Sequence, residues 1–144
     1  MTILKLDQAN EIIEAALAEG RKRQFAPLAV AVLDVGGHLL AFQREDGAGF
    51  ARFDIAYGKA WGALGMGFGT RELLQRDPTF ITAIAAATQG RIIPSPGGVL
   101  ILDANNDVIG GVGISGDFGD NDEICAIAGI QTAGFSALAG ATKS

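Results

Sequence analysis

Apolar residues open the chain at helical spacing. Ala9, Ile12, Ile13, Ala16 and Leu17 fall on one face, with Glu11, Glu14 and Glu19 between them. Asp7 is the expected N-cap, and Arg21, Lys22 and Arg23 close the helix where cations suit its C-terminal dipole. Pro27 breaks the pattern. Residues 28–34 and 39–44 then read as two strands of a hairpin, turning through Val35-Gly36-Gly37-His38, where glycine supplies the positive φ of a tight turn. A loop at 47–53 leads into a second helix, capped by Asp54 and running to about Phe68. A short helix restarts at Gly69-Thr70-Arg71-Glu72, stops before Pro78, and is followed by an alanine-rich helical stretch around 79–87.

Period-two patterning returns further on. Arg91 to Ile93 reads as a short extended piece ended by Pro94-Ser95-Pro96-Gly97-Gly98. Val99–Leu102 pairs with Val108–Ser115 across the turn Asp103-Ala104-Asn105-Asn106-Asp107. Gly110, Gly111 and Gly113 in the returning strand predict a bulge or a close backbone approach. Asp120 with Glu123 resembles a capping box for a last helix whose inner face would carry Ile124, Ile127, Ala128, Gln131, Phe135 and Leu138. Hairpins separated by helices predict an antiparallel sheet with helices laid against it, an α+β fold, in one domain over residues 1–144.

Composition narrows the function classes. The net charge of −5 argues against nucleic acid and anionic membrane surfaces, and no apolar run reaches the roughly 18 residues that span a bilayer. A hydrophobic fraction of 49% in 144 residues predicts a covered surface, hence a homo-oligomer, a ligand pocket or both. The start of the chain lacks a secretory pattern, so the expected compartment is the cytoplasm. Cys125 lies in an apolar helical pattern and reads as a buried small hydrophobe.

Candidate chemistry concentrates after the first hairpin. Gly58, Gly62, Gly65 and Gly69 stripe the second helix beside Tyr57, Trp61, Leu64 and Phe68. Interior glycines cost about 1 kcal/mol each against alanine, so something must approach that helix closely: the sheet, a partner subunit or a flat ligand. Lys59 among apolar neighbours, with Arg52, Asp46 and Asp54 nearby in sequence, fits acid–base work, carboxylate binding or a salt bridge. His38 is the one imidazole, so a two-histidine metal site within the chain is excluded and no metal site is expected. The 103–107 segment lacks the glycine and glutamate of a calcium loop. The acidic loop 115–123 offers capping, a cation site, or free N–H groups at a helix start.

The segments Val30 to Leu39, Arg44 to Gly47, Asp54 to Ala60, Pro96 to Ile101, Val108 to Gly116, and Asp122-Glu123 together resemble the GlcG/HbpS family, which includes the C-terminal domain of PduO-type proteins. The resemblance implies a profilin-like α+β fold: a five-stranded antiparallel sheet flanked by helices, long at both termini, assembled into homo-oligomers. It implies a small-ligand-binding protein with haem as the named ligand, in sensing or haem handling. On that reading Arg52 and Lys59 meet ligand carboxylates, Phe53 and Tyr57 stack, and His38 is a reserve iron ligand. The pocket would lie between the second helix and the second hairpin or the last helix. Two other functions stay open. One is a cofactor-free catabolic enzyme acting on a small organic acid, with Lys59, Asp46, Asp122 and Glu123 as acid–base groups. The other is an accessory scaffold without chemistry.

Overall fold

The computed structural model describes residues 2–140. Helix α1 (Leu6–Lys22) is followed by the hairpin β1 (Ala29–Asp34) and β2 (Leu39–Arg44), then α2 (Arg52–Met66), a 3-10 turn (Thr70–Gln75) and α3 (Pro78–Ala87). A second hairpin, β3 (Gly98–Leu102) and β4 (Val108–Ser115), leads to α4 (Gly119–Thr132) and β5 (Ser136–Leu138). The five strands form one antiparallel sheet, as the expected fold class requires, and their order is β2-β1-β4-β3-β5.

The register sorts side chains by size. Val32, Val112 and Val99 lie across neighbouring strands in one row, and Ala31, Gly113 and Gly98 form the next. Alternate residues point to opposite faces. The valine face, with Val30, Ile101 and Ile114, packs under α1 and α4 through Ile12, Ile13, Cys125 and Ile130. The small face, with Ala29 and Ala31, receives α2 through Ala56 and Ala60. A Cβ at Gly113 would overlap the Ala56 carbonyl, so the glycine in β4 lets the helix backbone rest directly on the sheet.

Several boundaries differ from the sequence reading. The N-cap of α1 is Lys5, and Asp7 lies in the first turn. Helix α2 begins at Arg52, so Asp54 lies inside its first turn and caps nothing. The fifth strand is β5, not residues 91–93. That segment instead packs on the glycine stripe of α2: Gly58 faces Ile93, and Gly62 faces Ile92 and the Arg91 carbonyl. The last helix is shorter than expected. Gly134, at φ 91°, ends α4, with Phe135 N–H donating to Ile130 O at 3.1 Å in a Schellman-type closure. Phe135 and Leu138 therefore lie beyond the helix, Leu138 on β5. Asp120 and Glu123 form no capping box, because α4 starts at Gly119 with Phe118 as its N-cap, and both carboxylates engage Arg71 instead.

Candidate functional site

Helix α2 carries the candidate residues on two unlike sides. Lys59 points inward and is only 2% exposed. Its Nζ donates to Ile114 O at 2.8 Å and to Asp122 Oδ2 at 3.0 Å. Asp122, 1% exposed, also accepts the Asp117 N–H at 3.0 Å. This pair ties α2, β4 and α4 together. Burial pulls the Lys59 ammonium down from its ordinary pKa against the attraction of Asp122, and burial pushes the Asp122 carboxyl up against the attraction of Lys59. A group so enclosed holds its neighbours in place and has no open path to a substrate.

The outward side is aromatic. Phe53 meets Phe42 of β2 edge-on with ring centroids 4.8 Å apart, and Tyr57 stands 5.8 Å from Phe53 at a 36° tilt. All three are half-buried. Tyr57 OH donates to Gly37 O at 3.3 Å, which links the row to the β1–β2 turn. One residue on, the His38 side chain is 80% exposed, and its Nδ1 lies 3.1 Å from Asp34 Oδ1. Asp34 also accepts the N–H groups of Gly36 and His38. Burial would raise its carboxyl pKa, but those bonds outweigh it and hold the group below the usual range. Among the described residues no hydrogen bond engages Nε2 of His38.

At the start of α2, Arg52 donates to Ser115 Oγ at 3.0 Å and borders a hollow of about 370 Å³ lined also by Ala26, Gly116, Asp117 and Phe118. Phe118 is 82% exposed at its rim. Asp117 shapes the hollow. It accepts the Ala26 N–H at 2.7 Å, the Phe118 N–H and the Asn121 amide, and these bonds lower its pKa.

The remaining candidates lie apart from this row. Asp46 is exposed and borders a separate hollow of about 410 Å³ with Arg21, Pro27, Arg44 and Glu45. Glu123 is held by Arg71 Nε at 2.9 Å and, with Asp120, raises the guanidinium pKa further. Among the described residues no three His, Cys, Asp or Glu side chains converge on a metal-sized site. Burial pushes the Cys125 thiol up to about 12, as its apolar pattern suggests. Of the expected ligand residues, the structure sets Phe53 beside Tyr57, whereas Arg52 meets Ser115 at the start of the helix. Sequence reasoning missed the partners Asp34 and Phe42, whose contacts cross between elements, and Phe118, whose position was visible only as a loop.

The family described as haem degrading protein HbpS-like matches residues 4–131. The chain is 32% identical over 133 residues to an uncharacterised 15.0 kDa protein from the dhaT-dhaS intergenic region of Citrobacter freundii, covering 84% of this chain and 93% of that one. Its fold superposes on a PduOC:heme complex with a TM-score of 0.86 at 23% identity, covering 97% of this chain and 100% of the other. A double mutant of HbpS from Streptomyces reticuli gives a TM-score of 0.78 at 31% identity, covering 93% and 89%.

Proposed function

The chain belongs to the HbpS-like family of haem-degrading proteins, and from that premise we propose that it binds haem on the outward side of α2. The supporting observation is the half-buried row Phe42, Phe53 and Tyr57, tied through Tyr57 OH to Gly37 O of the turn that carries His38 and preceded on α2 by Arg52. A porphyrin needs flat apolar contact, cations for its propionates and a donor for iron. Phe53 and Tyr57 supply ring faces. Arg52 supplies the cation and is five residues from Tyr57, about 7.5 Å along the helix axis. His38 supplies the donor, and a carboxylate on Nδ1 is the arrangement that fixes a ligating imidazole with Nε2 free.

When bound, haem would supply an iron centre for sensing or redox handling. The chain's own part is to bind, to orient and to shield one face of the ring. Lys59 contributes indirectly, by anchoring α2 on Ile114 and Asp122. The acid–base enzyme reading draws no support from Lys59, whose ammonium is enclosed, or from Glu123, which Arg71 holds.

Titration of the purified protein with hemin should give a saturable, sharpened Soret band. His38→Ala should move the band, because the iron loses its donor. Arg52→Ala should weaken binding by about tenfold, or 1.4 kcal/mol. A spectrum matching free hemin at every ratio would sink the reading.

A further inference from the structure

A hollow of about 330 Å³ opens between the 3-10 turn, the first turns of α3 and Pro94. Its floor is the buried pair Leu73 and Ile81, which cluster with Ile92. Its walls are Leu74, Pro78 and Pro94, all exposed. Thr82 also lines it, but the hydroxyl already donates to Pro78 O at 2.9 Å. Helix α3 brings no charge, since residues 78–90 contain no ionisable side chain. Small-ligand sites are mostly apolar concavities of about 300–1,000 Å³ with a few placed polar groups, and this hollow falls in that range. Arg76 is its placed group. The guanidinium carbon lies 4.8 Å over the Phe68 ring, a contact through the guanidinium face that leaves the in-plane N–H groups. Among the described residues no ion pair or hydrogen bond takes up those N–H groups. Asp77, next in the chain, does not line the hollow, and its carboxylate accepts the Phe80 N–H at 3.3 Å.

We propose that this hollow binds a small monocarboxylate with an apolar tail, the tail over Leu73 and Ile81 and the carboxylate on Arg76. Charge selects the head group. A guanidinium takes a carboxylate through two parallel N–H bonds, and one unpaired cation matches one negative charge. A phosphate dianion would leave half its charge unmatched beside apolar walls, and an ammonium would be repelled by Arg76. The walls select the tail, because an apolar chain gains by leaving water and these walls offer it no polar competitor. Volume sets its length: at about 30 Å³ for each water-sized group, the hollow holds roughly ten non-hydrogen atoms, a chain of about eight carbons with its two oxygens. A porphyrin is several times larger. The site shares no residue with the aromatic row on α2, and the inference is independent of haem binding.

Isothermal titration of the full chain with octanoate tests it, with methyl NMR spectra of Leu73 and Ile81 locating the site. Octanoate should bind saturably, with a dissociation constant below about 1 mM, and should shift both methyl signals. Acetate, which lacks the tail, and octylammonium, which reverses the charge, should each bind at least about tenfold more weakly. Arg76→Gln should weaken octanoate binding at least about tenfold with the thermal midpoint unchanged. Leu74→Asp, at a position 57% exposed, should do the same by setting a like charge on the wall. The absence of saturable octanoate binding up to about 10 mM overturns the proposal. So does octylammonium binding as tightly as octanoate, binding that both variants leave intact, or methyl shifts that spare Leu73 and Ile81.

Discussion

The two faces of the sheet are cut from alternate residues of the same three strands, yet they hold their helices by opposite means. On one face, Val30, Val32, Val99, Val112 and Ile114 project into α1 and α4. There each buried side chain contributes roughly 1.5–3 kcal/mol through burial. On the other face, Ala31, Gly113 and Gly98 project almost nothing, and the backbone of α2 lies on the strands. That face gives up apolar area for closeness. The close approach brings Lys59 to Ile114 O and Asp122, and polar bonding replaces part of what side-chain packing does opposite. Side-chain packing tolerates small changes of volume, whereas backbone contact and a buried ion pair do not.

The sharpest way to break this contrast is Gly113→Val. Its side chain would overlap the α2 backbone at Ala56 and Ala60. The expected loss is about 5 kcal/mol or more, enough to leave little folded protein in a circular dichroism melt. Lys59→Met comes next, at about 3–5 kcal/mol in urea unfolding, because Asp122 is left buried without its cation. Adding Asp122→Leu to Lys59→Met should recover most of that loss. If the double variant is as unstable as the single, the loss lies in packing and not in the unpaired charge. On the valine face, Ile114→Val should cost only about 1 kcal/mol, measured the same way.

The mildest expected effect is pH dependence at Asp117. Hydrogen bonds from Ala26, Asn121 and Phe118 lower its folded pKa below the unfolded value of about 3.9. The stabilisation is therefore complete above that pH and is lost as pH falls through the folded pKa. Asp117→Asn should lose stability at pH 7 and show a flatter decline towards pH 3. A variant declining as steeply as the wild type would place the acid sensitivity elsewhere.

Much of the fold was legible because it is written in local patterns. The period-3.6 run from Ala9 to Leu17 and both hairpins with their turns appear where expected. The end of α4 was not, because residues 124–142 carry no charge or proline, and Gly134 there reads as one more small helical residue. The fifth strand was misplaced for a related reason. Residues 91–93 look extended, but their backbone partner is the glycine stripe of α2, a contact that no local pattern encodes.

By itself, then, the sequence determined the element types, the α+β class, the family and a list of reactive side chains, because these follow from periodicity, turn chemistry and residue identity. Only the tertiary structure decided what those side chains can do. Lys59 and Arg52 are cations on one helix, seven residues apart. One is enclosed by Ile114 and Asp122, and the other borders a hollow beside Phe118. A sequence states that a charge is present. Its solvation, partners and reach depend on what covers each turn of α2. Ile114 and Asp122, from distant parts of the chain, close over Lys59, while Arg52, two turns earlier on the same side, meets Ser115 at the edge of the hollow.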